Sequence, residues 1–461
     1  MLVLLLGRRP VSSGELESPS PLAPVIMASA SVGCGHASSN CDHCSFVSHT
    51  SLSLLCFHRR LQPLAKMVGG TCSLRLPVEI LDHIIDCMVD DDGEIRSSEC
   101  RNTLLACSLI PPLSPRSRHH VFHEITLLAS TVDNFADILG SPHATVNNHV
   151  RMLTLHHSSP DTFVPGRFGT ALASGLLPNV ATLRIVGKSW HWQRVSFDFL
   201  KPLARSVKTL LVQQGVITTI PQFCRFFTVF PALQALHLIM FDPCTEEPLP
   251  VADSSRVRLP QMHKLAIPSF AALPILPLLD VPSLTSLTLF IPWWAHLFNN
   301  IPVSEVVGFL ERVAPTLEHL RMHYPSYVED SASVSRAQAT APLTDFSRFG
   351  RLRTLDLRPM YDHQLALMLT CMSIKSRYLE SVVMEIQQGS GHLSLRNVES
   401  ALRQDCYAKL DAFFADKARF PRLAFVKIRV ARYCCDAYEE LFEASFPKMN
   451  DMGLLVVVED E

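Results

Sequence analysis

Residues 352–357 read Leu352-Arg353-Thr354-Leu355-Asp356-Leu357. The apolar residues stand at i, i+3 and i+5, and the last two alternate with a polar residue as in a half-buried strand. The same spacing recurs along the chain. Val150/Leu153/Leu155, Val180/Leu183/Ile185, Val207/Leu210/Val212, Leu233/Leu236/Leu238, Met262/Leu265/Ile267, Leu284/Leu287/Leu289 and Leu317/Leu320/Met322 precede it. Leu379/Val382/Met384 and Leu423/Val426/Ile428 follow as weaker copies. The middle residues of these ten copies are separated by steps of 30, 27, 26, 29, 22, 33, 35, 27 and 44. A proline stands just before six of them, at Pro178, Pro231, Pro260, Pro282, Pro315 and Pro421. Each is expected to stop the preceding segment and favour extension.

Helical patterns lie between the copies. Ser304 to Val313 places Val306, Val307, Leu310 and Val313 on one face. Asn397 is expected to cap a helix carrying Val398, Leu402, Cys406, Leu410 and Phe413. A strand and a helix alternating at this period are the signature of a leucine-rich-repeat solenoid. One repeat cannot bury both its faces, so neighbours must stack. The expected fold is an α/β solenoid: an irregular leucine-rich-repeat arc with a curved parallel sheet over residues 128–461. Ten copies, six of them behind a proline, are too many for coincidence in an ordinary α/β domain.

Composition narrows the function. Lys and Arg number 41 against 43 Asp and Glu, for a net charge of −2 among 461 residues. That balance argues against a strongly basic nucleic-acid binder and against an acidic tail. Apolar residues make up 48% and charged residues 18%, enough to bury a large core. The 14 cysteines are scattered, which suits reduced thiols in the cytoplasm or nucleus rather than a disulfide scaffold. No apolar run is long enough to span a bilayer. Arg8 and Arg9 follow the short run after Met1 instead of preceding it, so no secretory signal is expected. Residues 1–66 are rich in Ser, Pro, Cys and His without periodicity and are expected to be a disordered leader, with Met67 an alternative start.

Residues 67–127 read as a separate three-helix module. Pro77 suits a first helical position, and Ile80, Leu81, Ile84, Ile85 and Met88 form one stripe ended by Asp90-Asp91-Asp92-Gly93. A second helix is expected from Asn102 to Leu109. A third is expected behind Ser114 as cap, with Pro115 in its first turn. Glu124 to Leu127 reads as a strand.

The residues Leu76-Pro77-Val78-Glu79-Ile80-Leu81 resemble the L-P-x-E-(I/L)-(L/I) opening of an F-box. Ala106-Cys107-Ser108-Leu109-Ile110 and the stretch from Pro115 to Phe122 resemble the second half of fungal F-box-like domains. Those domains often precede a leucine-rich-repeat-like region, and the stretch from Phe446 to Leu455 is similar to how such proteins end. The resemblance implies a substrate receptor. Leu76, Pro77, Ile80, Leu81, Ile84, Ile85, Leu105 and Leu109 would dock a Skp-type adaptor joined to a cullin scaffold, and the repeats would hold a protein substrate for ubiquitin transfer. One departure stands out: Pro111-Pro112-Leu113-Ser114 replaces the family's C-R-x-W segment. Losing a buried Trp costs about 3–5 kcal/mol unless the site repacks. A second reading therefore stays open: a non-enzymatic repeat scaffold with a degenerate F-box. The Ile and Leu stripe fits helix-in-groove recognition, or packing within the chain itself.

The residues alternating with the buried triplets face the concave side of the sheet, a common binding surface of solenoids. Met152, Thr154, His156, Arg184, His237 and Lys264 fall there in the first half. His319, Arg321, His323, Asp356, Arg358 and Glu385 follow as the candidate substrate-binding set, with Lys427 and Arg429 beyond. Asp356 and Glu385 interrupt the basic residues, so nucleic acid is not the expected ligand.

Catalytic chemistry is not expected. Cys34, His36, Cys41, His43, Cys44 and His49 lack the paired spacing of a zinc site, and His119, His120 and His123 could offer two ligands at most. No G-x-S-x-G, H-E-x-x-H or phosphate-binding loop occurs. No cofactor, metal or membrane partner is expected.

Overall fold

A computed structural model of the chain describes residues 78–89, 95, 97–111, 113–156, 166–187, 197–217, 226–243, 256–268, 270–290, 303–323, 343, 345–360, 372–386, 405–430 and 435–459. Leu76, Pro77, the Cys/His cluster at 34–49, the acidic turn at 90–93 and the cap at Asn397 lie outside them. The described residues form two compact units that part between Phe122 and His123.

The larger unit is built on one open sheet. Its strands are β1 (Glu124–Leu128), β2 (Met152–His156), β3 (Thr182–Val186), β4 (Thr209–Ile217) and β5 (Ala235–Pro243). After β6 (Val257–Arg258) come β7 (Lys264–Ile267), β8 (Leu279–Asp280) and β9 (Ser286–Phe290). Then follow β10 (His319–His323), β11 (Thr354–Met360), β12 (Ser381–Ile386), β13 (Phe425–Val430) and β14 (Leu455–Glu459). Twelve of these pair side by side in chain order, while the two-residue β6 and β8 pair separately. Every paired strand is parallel. This is a repeat architecture that is never closed. The strand at Glu124–Leu128 heads the sheet, and β14 extends it past the last triplet.

All ten triplets lie where the spacing places them. Their middle residues, from Leu153 through Leu183, Leu210, Leu236, Leu265, Leu287, Leu320 and Leu355 to Val382 and Val426, stand opposite one another in a single row. Every triplet residue is at most 2% exposed. The register is set at the start of each strand. There, one carbonyl accepts two successive N–H groups from the next repeat: His123 from Arg151 and Met152, Arg151 from Ala181 and Thr182, and so on to Arg353 from Glu380 and Ser381, at 2.7–3.1 Å.

The prolines act differently from the sequence expectation. Pro231, Pro260, Pro282 and Pro421 occupy the second position of tight turns, closed by Leu233 N–H to Phe230 O, Met262 to Leu259, Leu284 to Val281 and Leu423 to Phe420. The fixed φ of proline suits that position. Each turn delivers the first apolar residue of the triplet into the core.

The connections vary more than a regular repeat would. Among the described residues the α-helices between strands are α4 (Val132–Leu139), α5 (Gly166–Ala173), α6 (Val303–Val313), α7 (Asp405–Phe414), α8 (Cys435–Ser445) and α9 (Pro447–Asp451). Other described connections use 3-10 turns, among them Phe197–Leu203 with Pro202 inside and Phe270–Leu278 with Pro274 and Pro277 inside. Proline removes a backbone donor, so an α-helix does not form over these stretches. On α6, Val306, Leu310 and Val313 are buried as expected, joined by Phe309, while Val307 is only half-buried. The carboxylate of Asp411 on α7, 2% exposed, accepts the N–H groups of Lys448 (3.1 Å) and Met449 (2.8 Å) at the start of α9.

The smaller unit contains α1 (Val78–Asp86), α2 (Ser98–Cys107) and α3 (Ser114–Val121). Ile85, Leu104 and Val121 form its core, with Met88, Leu105 and Leu113 packed around them. Helix α2 starts four residues earlier than the pattern suggests, because the Ser97 hydroxyl caps it by accepting the N–H of Cys100 at 3.2 Å. It ends at Cys107, ahead of Pro111. Ser114 is the first residue of α3 rather than its cap, and Leu113 precedes it without a side-chain cap bond.

Leu287→Ala removes a fully buried residue from the centre of the sheet. It is expected to cost about 3 kcal/mol, read as a lower urea midpoint by circular dichroism. Asp411→Ala strands two N–H groups and is expected to cost about 1–2 kcal/mol in the same measurement.

Candidate functional site

The residues between the buried triplets form three rows on the opposite face of the sheet. In the central row Arg321 stands between Thr288 and Asp356, and Val383 and Lys427 continue it. A neighbouring row sets His323 beside Arg358, and Glu385 beside Arg429. The triplet spacing thus brings together ionic residues that lie about 30 positions apart in the chain.

They form a connected network. Asp356 accepts Arg321 Nε on Oδ2 at 2.7 Å and Arg358 Nε on Oδ1 at 2.8 Å. Arg358 Nε lies 3.7 Å from Glu385 Oε2. The acids are not open to solvent, since the side chains of Asp356 and Glu385 are 11% and 8% exposed. Two buried carboxylates of like charge are tolerable because Arg358 lies between them. Arg321 is 48% exposed on the outer side of the network. His319 is exposed and holds Thr354 Oγ1 through Nδ1 at 2.8 Å. Burial, with Arg321 and Arg358 nearby, pushes the imidazolium of His323 down from the usual histidine range. His237 is lowered by burial and by Lys264. The first strands are more closed than expected, with Thr126 and Thr154 at 2% and 4% exposure.

The adaptor residues read from sequence divide in the small unit. Ile80 is 48% exposed and Leu109 80%, and Ile110 beside it is 41%. Ile84 is half-buried. Leu81 and Ile85 turn into the unit's own interior, and Leu105 packs against its core. The apolar stripe on α1 therefore both builds the unit and leaves an exposed margin.

One feature of this unit escaped the sequence reading. Asp86 at the end of α1 receives a two-pronged contact from Arg116, Nε to Oδ1 at 2.6 Å and Nη2 to Oδ2 at 2.7 Å. His120 Nε2 lies 2.9 Å from the same carboxylate, and its side chain is 9% exposed. Arg116 and His120 are one helical turn apart, so both reach Asp86 from α3. Their i,i+4 spacing was visible, but a partner 30 residues upstream was not. Among the described residues no group of three or more His, Cys, Asp or Glu side chains is placed to hold a metal. No described helix is long and apolar enough to cross a membrane.

No family model matches the chain, and no curated protein matches it. Among solved structures it is similar to a chain of the yeast Rad7 and Elc1 complex, at 11% identity and a TM-score of 0.26, covering 84% of this chain and 96% of that one. A superposition this loose carries no functional information.

The hydrogen bonds from Arg116 hold the Asp86 carboxyl down at about 2, against an ordinary 3.8. Its contribution is therefore complete above pH 3.8 and is lost as the pH falls towards 2. Asp86 is 37% exposed, so screening leaves about 1 kcal/mol at pH 7. Asp86→Asn is expected to speed amide hydrogen exchange over residues 100–107 at neutral pH. The gap from wild type should close between pH 4 and 2.

In the sheet, Asp356→Asn leaves Arg321 and Arg358 facing each other across a neutral amide. It is expected to destabilise the repeat unit by about 3 kcal/mol in urea unfolding.

Proposed function

We propose that this chain is a non-catalytic receptor: the three-helix unit docks a Skp-type adaptor on a cullin ubiquitin ligase, and the repeat sheet holds a protein substrate. The observation that carries this reading is the set of apolar side chains Ile80, Leu109 and Ile110, left exposed on a unit whose described residues form three short helices. A small domain that exposes aliphatic residues while its core is already filled presents a contact surface for another protein. Ile80 and Leu109 are among the positions that the F-box resemblance assigns to the adaptor, and Ile110 adjoins Leu109 in sequence. The proposed site of action is the cytoplasm or nucleus, where such ligases work.

A second reading has its own observation. Helix α2 stops at Cys107, and the chain turns through Pro111 without the family's Trp. This favours a repeat scaffold whose F-box no longer joins a ligase.

Calorimetry of the full chain against a fungal Skp-type adaptor separates the two. The receptor reading expects submicromolar binding. Ile80→Asp and Leu109→Asp should each weaken it by at least about 2 kcal/mol without unfolding the chain, because both side chains already meet solvent. A folded wild type that fails to bind would leave the scaffold reading.

A further inference from the structure

We propose that the polar face of the sheet binds an extended acidic peptide segment of the partner protein, anchored by Lys264, Arg321 and Lys427. This deepens the receptor reading and rests on it only in taking this face as the partner-facing side. The first support is charge. In the three polar-face rows of β1 to β13 the described strands present Arg184, Lys264, Arg321, Arg358, Lys427 and Arg429. They oppose only three acids, Glu124, Asp356 and Glu385. These described rows thus carry a surplus of three positive charges on a chain whose net charge is −2. Such an asymmetry steers and selects a partner of opposite sign.

The second support is how the surplus is arranged. Both oxygens of Asp356 are taken, one by Arg321 and one by Arg358, and Glu385 lies next to Arg358. The buried acids thus offset Arg358 and hold Arg321 in place. The contact to Arg321 uses only its Nε, and the side chain is 48% exposed. Its terminal amino groups can take an incoming carboxylate in the two-pronged geometry that arginine favours.

Position supplies the third support. Lys264 on β7 is exposed and lies two strands across and two residues along from Arg321 on β10, about 12 Å at the spacings of a sheet. Lys427 on β13 shares the central row with Arg321 and lies three strands beyond it, about 14 Å. An extended chain advances about 3.3 Å per residue, so carboxylates four residues apart, about 13 Å, match both spacings. Spaced carboxylates also step past Asp356 and Glu385, which would repel the unbroken phosphates of a nucleic acid.

The test is fluorescence polarisation with the full chain and a labelled peptide of about nine residues, Glu at its first, fifth and ninth positions and Ser and Gly elsewhere, at about 50 mM salt. The Glu peptide should bind, and its all-Gln counterpart should bind at least about tenfold more weakly. Lys264→Gln and Arg321→Gln should each weaken the Glu peptide about threefold. Arg321→Gln leaves Arg358 on Asp356, so the network keeps a cation. Lys201→Gln, exposed on the 3-10 turn Phe197–Leu203, should change nothing. Equal affinity for the Glu and Gln peptides, an equal loss in Lys201→Gln, or tighter binding of a single-stranded oligonucleotide of the same charge would each overturn the proposal. The adaptor titration reads Ile80 and Leu109 and not this face. A chain that binds the peptide but no adaptor would keep this inference and lose the ligase.

Discussion

At nine successive junctions one backbone carbonyl accepts two N–H groups from the next repeat, just ahead of the strand. This shared acceptor is the constraint on which the repeat unit depends. It sets each strand against its neighbour at the first residue, before any side chain meets. The connections are then free to vary, and they do: the steps between triplets run from 22 to 44 residues. Whatever lies between, the chain must return to the same carbonyl with the same residue. Proline-led turns ensure that return at Pro231, Pro260, Pro282 and Pro421. A parallel sheet shifted by one residue would turn every leucine outward, so the junction bonds and the buried triplets enforce the same register.

Once register is set, distance along the sequence ceases to matter for chemistry. Arg321, Asp356 and Glu385 come from three successive strands yet belong to one ionic network. Asp356 is nearly buried, and without its two arginines its charge would be very costly there. Because both oxygens are engaged, the network is rigid, and its one largely exposed arginine is held in place. A row of parallel strands about 4.8 Å apart then acts as a ruler for whatever lies across it.

In the three-helix unit the same residues serve two ends. Ile85 closes the core with Leu104 and Val121, whereas Ile80, five residues earlier and about 140° round the helix, is exposed. Asp86 fastens α1 to α3 through Arg116 and His120, so the unit does not depend on its apolar core alone. That contact gives the basic, histidine-bearing third helix a structural role.

The repeat architecture was legible in the sequence because a buried strand in a parallel sheet must repeat its apolar spacing, whatever its connections do. All ten triplets, and the alternation that puts Arg321 and Asp356 on the polar face, follow from that periodicity. The stripe on α1 was legible for the same reason. The pairing of charges was not, since Arg321 with Asp356 and Asp86 with Arg116 are contacts across 35 and 30 residues with no local trace. Nor was the division of the α1 stripe into buried Ile85 and exposed Ile80. A helical pattern reports which residues share a face, but only the packed neighbours decide how much of that face they cover.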